Sequence, residues 1–78
     1  HTAGGAAAGL TDRETAVLQA VARGLSNDEI AKELWITQQT VKFHLTNTYR
    51  KLGARNRTEA TRLAYQRGLI ENPLFDEE

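Results

Sequence analysis

The chain contains no cysteine, which removes disulfides and any Cys-type zinc site as sources of stability. Its two histidines, His1 and His44, stand far apart, and no acidic residue lies at a metal-ligand spacing from His44, so no metal site is expected. Apolar residues never run on for more than a few positions, too short a stretch to span a bilayer. The opening HTAGGAAAG, His1 to Gly9, lacks the basic start and apolar core of a secretory signal. A cytoplasmic setting, with no membrane partner, follows as the default. Strand-type alternation and internal repeats are also lacking. No acid–base pair, nucleophile dyad or metal cluster points to catalysis, so neither an enzyme nor a cofactor is expected.

What remains is one small domain. Its 78 residues lie near the lower end of what a single core stabilises unaided. Hydrophobic residues at 40% and charged residues at 26% are ordinary for a globular chain. The net charge of zero conceals a strong asymmetry. Residues 1–37 carry three basic and five acidic side chains, net −2, whereas residues 38–67 carry seven basic ones against Glu59 alone, net +6. Residues 68–78 return to net −4. A positive segment between acidic ends is the electrostatic footprint of a nucleic-acid groove binder, and equally that of a helix with a basic solvated face.

Read for punctuation, the chain yields four helices. Residues 1–9 are small and flexible, a linker or tag remnant. Thr11 and Glu14 have capping-box spacing ahead of Val17, Leu18 and Val21, and Gly24 closes this first helix. Ser26 and Glu29 repeat the box, with Ile30, Ala31 and Leu34 as a buried stripe ending near Leu34 or Trp35. Thr37 is the next N-cap, and so short a connection makes the two helices meet steeply, the helix-turn-helix arrangement. The third helix is expected from about Gln38 to Leu52, stopped by Gly53, with Val41, Leu45, Thr48, Tyr49 and Leu52 facing the core. A fourth begins at Asn56, turns Ala60, Leu63 and Ala64 inward, and ends before Gly68. The fold class is all-α, a compact four-helix bundle containing a helix-turn-helix, over residues 10–70. Residues 71–78 form an acidic tail.

The outer face of the third helix carries the information. From Gln38 to Lys51 there is no acidic residue, and Phe43 points outward among Gln39, Thr46, Asn47 and Arg50. Acids are excluded where phosphates lie close, and Thr, Asn, Gln, Arg and Lys are the side chains that bond phosphates and base edges. An outward phenylalanine meets a thymine methyl in that setting; otherwise it packs on a partner protein. His44, beside this face, is either half-buried and bonded to backbone or a donor to a phosphate. Trp35, in the turn, is expected to cap the core edge rather than to read bases, although its indole N–H is within reach of a phosphate.

These residues resemble a known family. LTDRE (Leu10 to Glu14), GLSNDEIAKELWI (Gly24 to Ile36), TVKFHLTNTYRKLG (Thr40 to Gly53) and NRTEA (Asn56 to Ala60) look like the LuxR-type helix-turn-helix of NarL/FixJ response regulators and quorum-sensing regulators. The likeness runs ungapped from Leu10 to about Ile70. It implies the DNA-binding output domain of a bacterial transcription regulator, within a two-component system, whose third helix enters the major groove and whose fourth helix dimerises. Carried over by position, base readers fall on Lys42, Phe43 and Thr46. Phosphate contacts fall on or near Thr40, His44, Asn47, Arg50 and Lys51. The dimer face is expected at Thr58, Thr61, Arg62 and Tyr65. Double-stranded DNA and a second copy are the implied partners, with RNA polymerase a further candidate. Many members carry a basic residue in place of Thr46 and a smaller one in place of Phe43, so no operator sequence transfers.

Two other readings compete. Region 4 of a bacterial sigma factor shares the four-helix plan and an opening like LTDRE, but KLGARNRTEA favours the LuxR type. A pure protein-interaction domain anchored on Phe43 differs in class, and salt separates it, because DNA binding weakens steeply as salt rises.

Overall fold

The computed structural model describes residues 9–70; the expected acidic tail and, Gly9 apart, the expected linker lie outside them. Four helices follow in order: α1 (Asp12–Ala22), α2 (Asn27–Leu34), α3 (Gln38–Leu52) and α4 (Arg57–Gln66). No strand occurs among the described residues.

Each helix starts where a short polar side chain satisfies a free amide. Thr11 Oγ1 accepts the Glu14 N–H at 3.0 Å, and the Glu14 carboxylate accepts the Thr11 N–H at 3.0 Å. Ser26 and Glu29 form the same reciprocal box at 3.1 and 2.8 Å. Thr37 caps α3 and Asn56 caps α4. Each such cap is worth about 1 kcal/mol, enough to matter in a domain of this size. At α4 the box is displaced: Glu59 reaches past Asn56 to the Arg55 N–H at 2.7 Å.

The helix ends differ in one respect. α3 stops at Gly53, whose φ of +76° lets the Ala54 N–H fold back onto the Tyr49 carbonyl at 2.9 Å, the hydrogen-bond pattern of a Schellman cap. α2 makes the same turn with a tryptophan. Trp35 sits at φ +61° in the left-handed region, and the Ile36 N–H reaches the Ala31 carbonyl at 3.0 Å. That conformation costs a residue with a Cβ about 1 kcal/mol. It also throws the indole outward, and Trp35 is 92% exposed. The expectation that Trp35 caps the core edge is therefore corrected: Leu34 and Ile36, on either side, fill that place.

Two apolar clusters form the interior, and α1 contributes to both. Val17, Ala20 and Val21 meet Ile30, Val41 and Leu45 in the helix-turn-helix core. Leu18 meets Leu52, Ala60 and Ala64 against α4, joined by Leu69 and Ile70, two core residues that no periodicity had marked. Tyr49, half-buried on α3, packs against both clusters.

One polar contact crosses this interior. Glu14 is only 4% exposed, and besides capping α1 it accepts a 2.7 Å hydrogen bond from Lys51 Nζ near the end of α3. Burial alone pushes the Glu14 carboxyl up. The Lys51 hydrogen bond, the Thr11 amide, and Coulomb attraction to Lys51 and His44 outweigh it and hold the pKa below the usual 4.5. A depressed native pKa means that this contribution to stability is complete above the unfolded-state value and is lost as pH falls through the native one. Thermal unfolding followed from pH 7 to pH 2 should thus show a loss beginning near 4.5, and Glu14→Gln should shrink that acid limb. At neutral pH, Lys51→Ala should cost about 3 kcal/mol by stranding a buried carboxylate, and adding Glu14→Gln should cost less than the sum. Strict additivity in denaturant titrations would show that the two residues act independently.

Candidate nucleic-acid interface

α3 is two-sided because its inner stripe is consumed by the core. Val41, Leu45, Thr48 and Leu52 are buried, while Gln39, Lys42, Phe43, Thr46 and Arg50 are exposed on the other side. Phe43 is 62% exposed, and its ring meets His44 edge-on with centroids 5.7 Å apart. Leaving a phenylalanine in water forgoes about 2 kcal/mol of burial, so nothing inside the fold explains its position.

The helix is tied at both ends. At its start, Thr37 caps it and Gln38 Nε2 donates to Asp28 of α2 at 3.0 Å. At its finish, Lys51 is bound to Glu14 of α1. Both ends of α3 are thereby fastened to neighbouring helices, which holds the orientation of its exposed face.

The sequence-expected residues divide on inspection of their surroundings. Lys42, Phe43 and Thr46 lie together on the exposed face. Lys42 and Arg50 enter no ion pair among the described residues, so both cations face solvent uncompensated. Thr40 is half-buried, its hydroxyl 2.9 Å from that of Thr37. Asn47 is half-buried beside Thr46. His44 is half-buried, and its Nδ1 is buried without a hydrogen-bond partner, so no backbone bond anchors the ring there. Lys51, expected among the phosphate contacts, has its ammonium drawn inward to Glu14. On α4, Thr58, Thr61, Arg62 and Tyr65 line a single open cleft of about 480 Å³.

Sequence reasoning missed Arg57. It stands at the start of α4, and its guanidinium donates to the Leu25 carbonyl and to Asn27 Oδ1, both at 3.0 Å. It therefore braces the loop that leads into α2, across a cleft that also contains Gln38 and Tyr49. The signal was present: Arg57, Ala60 and Ala64 share the inward stripe of α4 by spacing, and a charge on an inward stripe requires partners. Arg57→Ala should cost about 2–3 kcal/mol, as hydrogen bonds to a charged group do, and amide exchange should quicken around Leu25 to Asp28. Arg57→Lys should recover little, because a point charge does not span both acceptors as a planar fork does. Unchanged exchange in that loop would exclude the brace.

Comparison with known proteins places this arrangement in company. Residues 8–64 match the family described as bacterial regulatory proteins, luxR family. The chain is 48% identical over 61 residues to the transcriptional regulatory protein YdfI of Bacillus subtilis strain 168, covering 78% of the chain and 29% of that relative. It is 53% identical over 57 residues to the nitrate/nitrite response regulator protein NarP of Escherichia coli K12, covering 73% of the chain and 26% of that relative. Among solved structures, the transcription factor GerE superposes with a TM-score of 0.77 at 33% identity, over 81% of this chain and 94% of its own. The response regulator ChrA of a heme-sensing two-component system gives 0.75 at 47% identity, over 77% of this chain and 30% of its own. The chain thus spans under a third of the length of these curated relatives.

Proposed function

The chain belongs to the luxR family of bacterial regulatory proteins, the family its motifs resemble, and on that premise we propose that it reads duplex DNA by sequence with α3 lying in the major groove. The family assignment and the all-α, four-helix fold agree with the sequence expectation, and the sigma-factor alternative falls away. A LuxR-type helix-turn-helix is a DNA-binding element of transcription regulators, and the chain's relatives include response regulators. No enzymatic role or cofactor is proposed.

The observation that carries the reading is the acid-free outer face of α3, on which Lys42 and Arg50 are unpaired and Phe43 is exposed. An α-helix about 10–12 Å across fits a major groove about 12 Å wide. Lys42, Phe43 and Thr46 then face base edges: the ammonium toward guanine acceptors, the phenyl ring toward a thymine methyl, the hydroxyl toward either kind of edge. Arg50 lies one turn beyond Thr46, where the strand curves past the helix, and is assigned to phosphate. Thr40, His44 and Asn47 flank the groove face and complete the backbone contacts. Lys51 acts instead through Glu14, fixing the axis of α3. The α4 face of Thr58, Thr61, Arg62 and Tyr65 is assigned to a second copy, so that two α3 helices meet two half-sites of a roughly palindromic operator. Residues 10–70 serve as the output domain of a larger cytoplasmic response regulator, with residues 1–9 as connector and RNA polymerase as a further partner.

Selection of binding sites from randomised duplexes tests the assignment of readers and anchors. Phe43→Ala should change the preferred sequence, at about 1–3 kcal/mol for the contact it loses. Arg50→Ala should weaken all duplexes alike and flatten the slope of log affinity against log salt by about 0.9. Salt-independent binding would instead favour a protein partner on Phe43. For the dimer, sedimentation with single and paired half-sites should show cooperative loading of two copies on the paired site. Tyr65→Ala should lose that cooperativity while keeping single-site affinity.

A further inference from the structure

We infer that Trp35 is a DNA-backbone contact, its indole lying against the sugar-phosphate chain beside the groove and its N–H donating to a phosphate oxygen. The inference rests on α3 being the groove helix. Three observations carry it.

The fold makes no use of the side chain. Trp35 is the single tryptophan of the chain and is 92% exposed, although an indole is among the largest apolar surfaces available for burial. Its backbone is left-handed at φ +61°, where the other helix-ending turns of the chain place glycine, at Gly24, Gly53 and Gly68. A position at which glycine is the better residue for folding carries instead an exposed indole.

The place is also the right one. Only Ile36 separates Trp35 from the N-cap Thr37, so their α-carbons are at most about 7 Å apart. A helix that fills the major groove brings phosphate strands against both flanks of its first turn. A free indole so close to that turn falls beside one of them.

The charges around the turn agree with an anionic neighbour. Arg13 of α1 donates from Nη1 to the carbonyl of Leu34, the residue before Trp35, at 3.4 Å, and enters no ion pair among the described residues. The nearby carboxylate of Glu33 is neutralised by Arg23. A cation and an N–H donor with a flat apolar ring stand together at the turn, the combination that suits phosphate and deoxyribose. A purely apolar protein partner has no use for the uncompensated arginine.

The test uses the 78-residue chain and a duplex obtained by selection. Emission of its one tryptophan should shift on saturation with that duplex. Trp35→Gly should bind about tenfold more weakly on selected and unselected duplexes alike, and Trp35→Phe, which keeps a flat aromatic ring but loses the N–H and part of the ring area, about threefold. Thermal stability of Trp35→Gly should equal or exceed that of the parent, since the strained turn is relieved; a side chain placed for folding would give the opposite sign. Arg50→Ala is measured alongside. If Arg50→Ala weakens binding while Trp35→Gly does not and the emission stays fixed, the Trp35 contact is refuted and α3 keeps its role. If neither substitution matters, the groove reading of α3 falls and this inference with it. Normal DNA binding by Trp35→Gly with lost transcriptional output would assign the indole to a protein partner instead.

Discussion

Glu14 ties together parts of the molecule that would otherwise be held only by apolar packing. Its carboxylate closes the capping box that starts α1 and, through the same oxygen, accepts the ammonium of Lys51 from α3. Packing of small aliphatic residues tolerates sliding and rotation between helices, because dispersion is weak per contact and has little directionality. A hydrogen-bonded charge pair whose carboxylate is buried does not, since displacement leaves that carboxylate without its partner. The pair therefore sets the axial position of α3 against α1. Arg57 does the equivalent for α2, fastening the loop before it to α4.

The consequence reaches the surface. Base reading by α3, as proposed, requires side chains held within a fraction of an ångström, which makes the supports as necessary to that proposal as the exposed residues. In this chain the supports are Lys51 and Arg57, whose charged ends turn inward, while Lys42 and Arg50 face outward with no ion-pair partner among the described residues. The basic segment from Gln38 to Arg67 thus performs two duties. Part of its charge holds the scaffold together, and the remainder gives the exposed side of α3 its positive field. Whole-chain neutrality is compatible with such a field because the acids lie elsewhere, in residues 1–37 and 68–78 and at Glu59.

The short polar side chains that cap helices act over three or four residues, which is why Thr11, Ser26, Thr37 and Asn56 disclosed all four helix starts without any knowledge of the fold. The same locality explains why the 3.6-residue stripe of α3 was legible, and with it the outward position of Gln39, Phe43, Thr46 and Arg50, whereas Lys42 was marked only by the family resemblance. Leu69 and Ile70 escaped notice because they lie past the last helix and have no period to betray them. Trp35 was misjudged for a related reason. A large aromatic beside a core is ordinarily drawn in, and only the left-handed turn at that residue, set by the path of the chain from α2 to α3, turned it out.

By itself, the sequence determined the limits of the helices among the described residues, the two faces of α3 and the family, because all of these rest on spacings within one element or on contiguous motifs. Tertiary structure alone decided which basic side chains are free. Lys51 and Arg50 are neighbours in the chain and equally cationic, yet Lys51 meets Glu14, 37 positions away in the sequence, and Arg50 meets solvent. Arg57 likewise finds Leu25 and Asn27, 32 and 30 positions back. Such pairings depend on where whole helices come to rest against one another, and that is settled by the summed packing of the two apolar clusters rather than by any local pattern of residues.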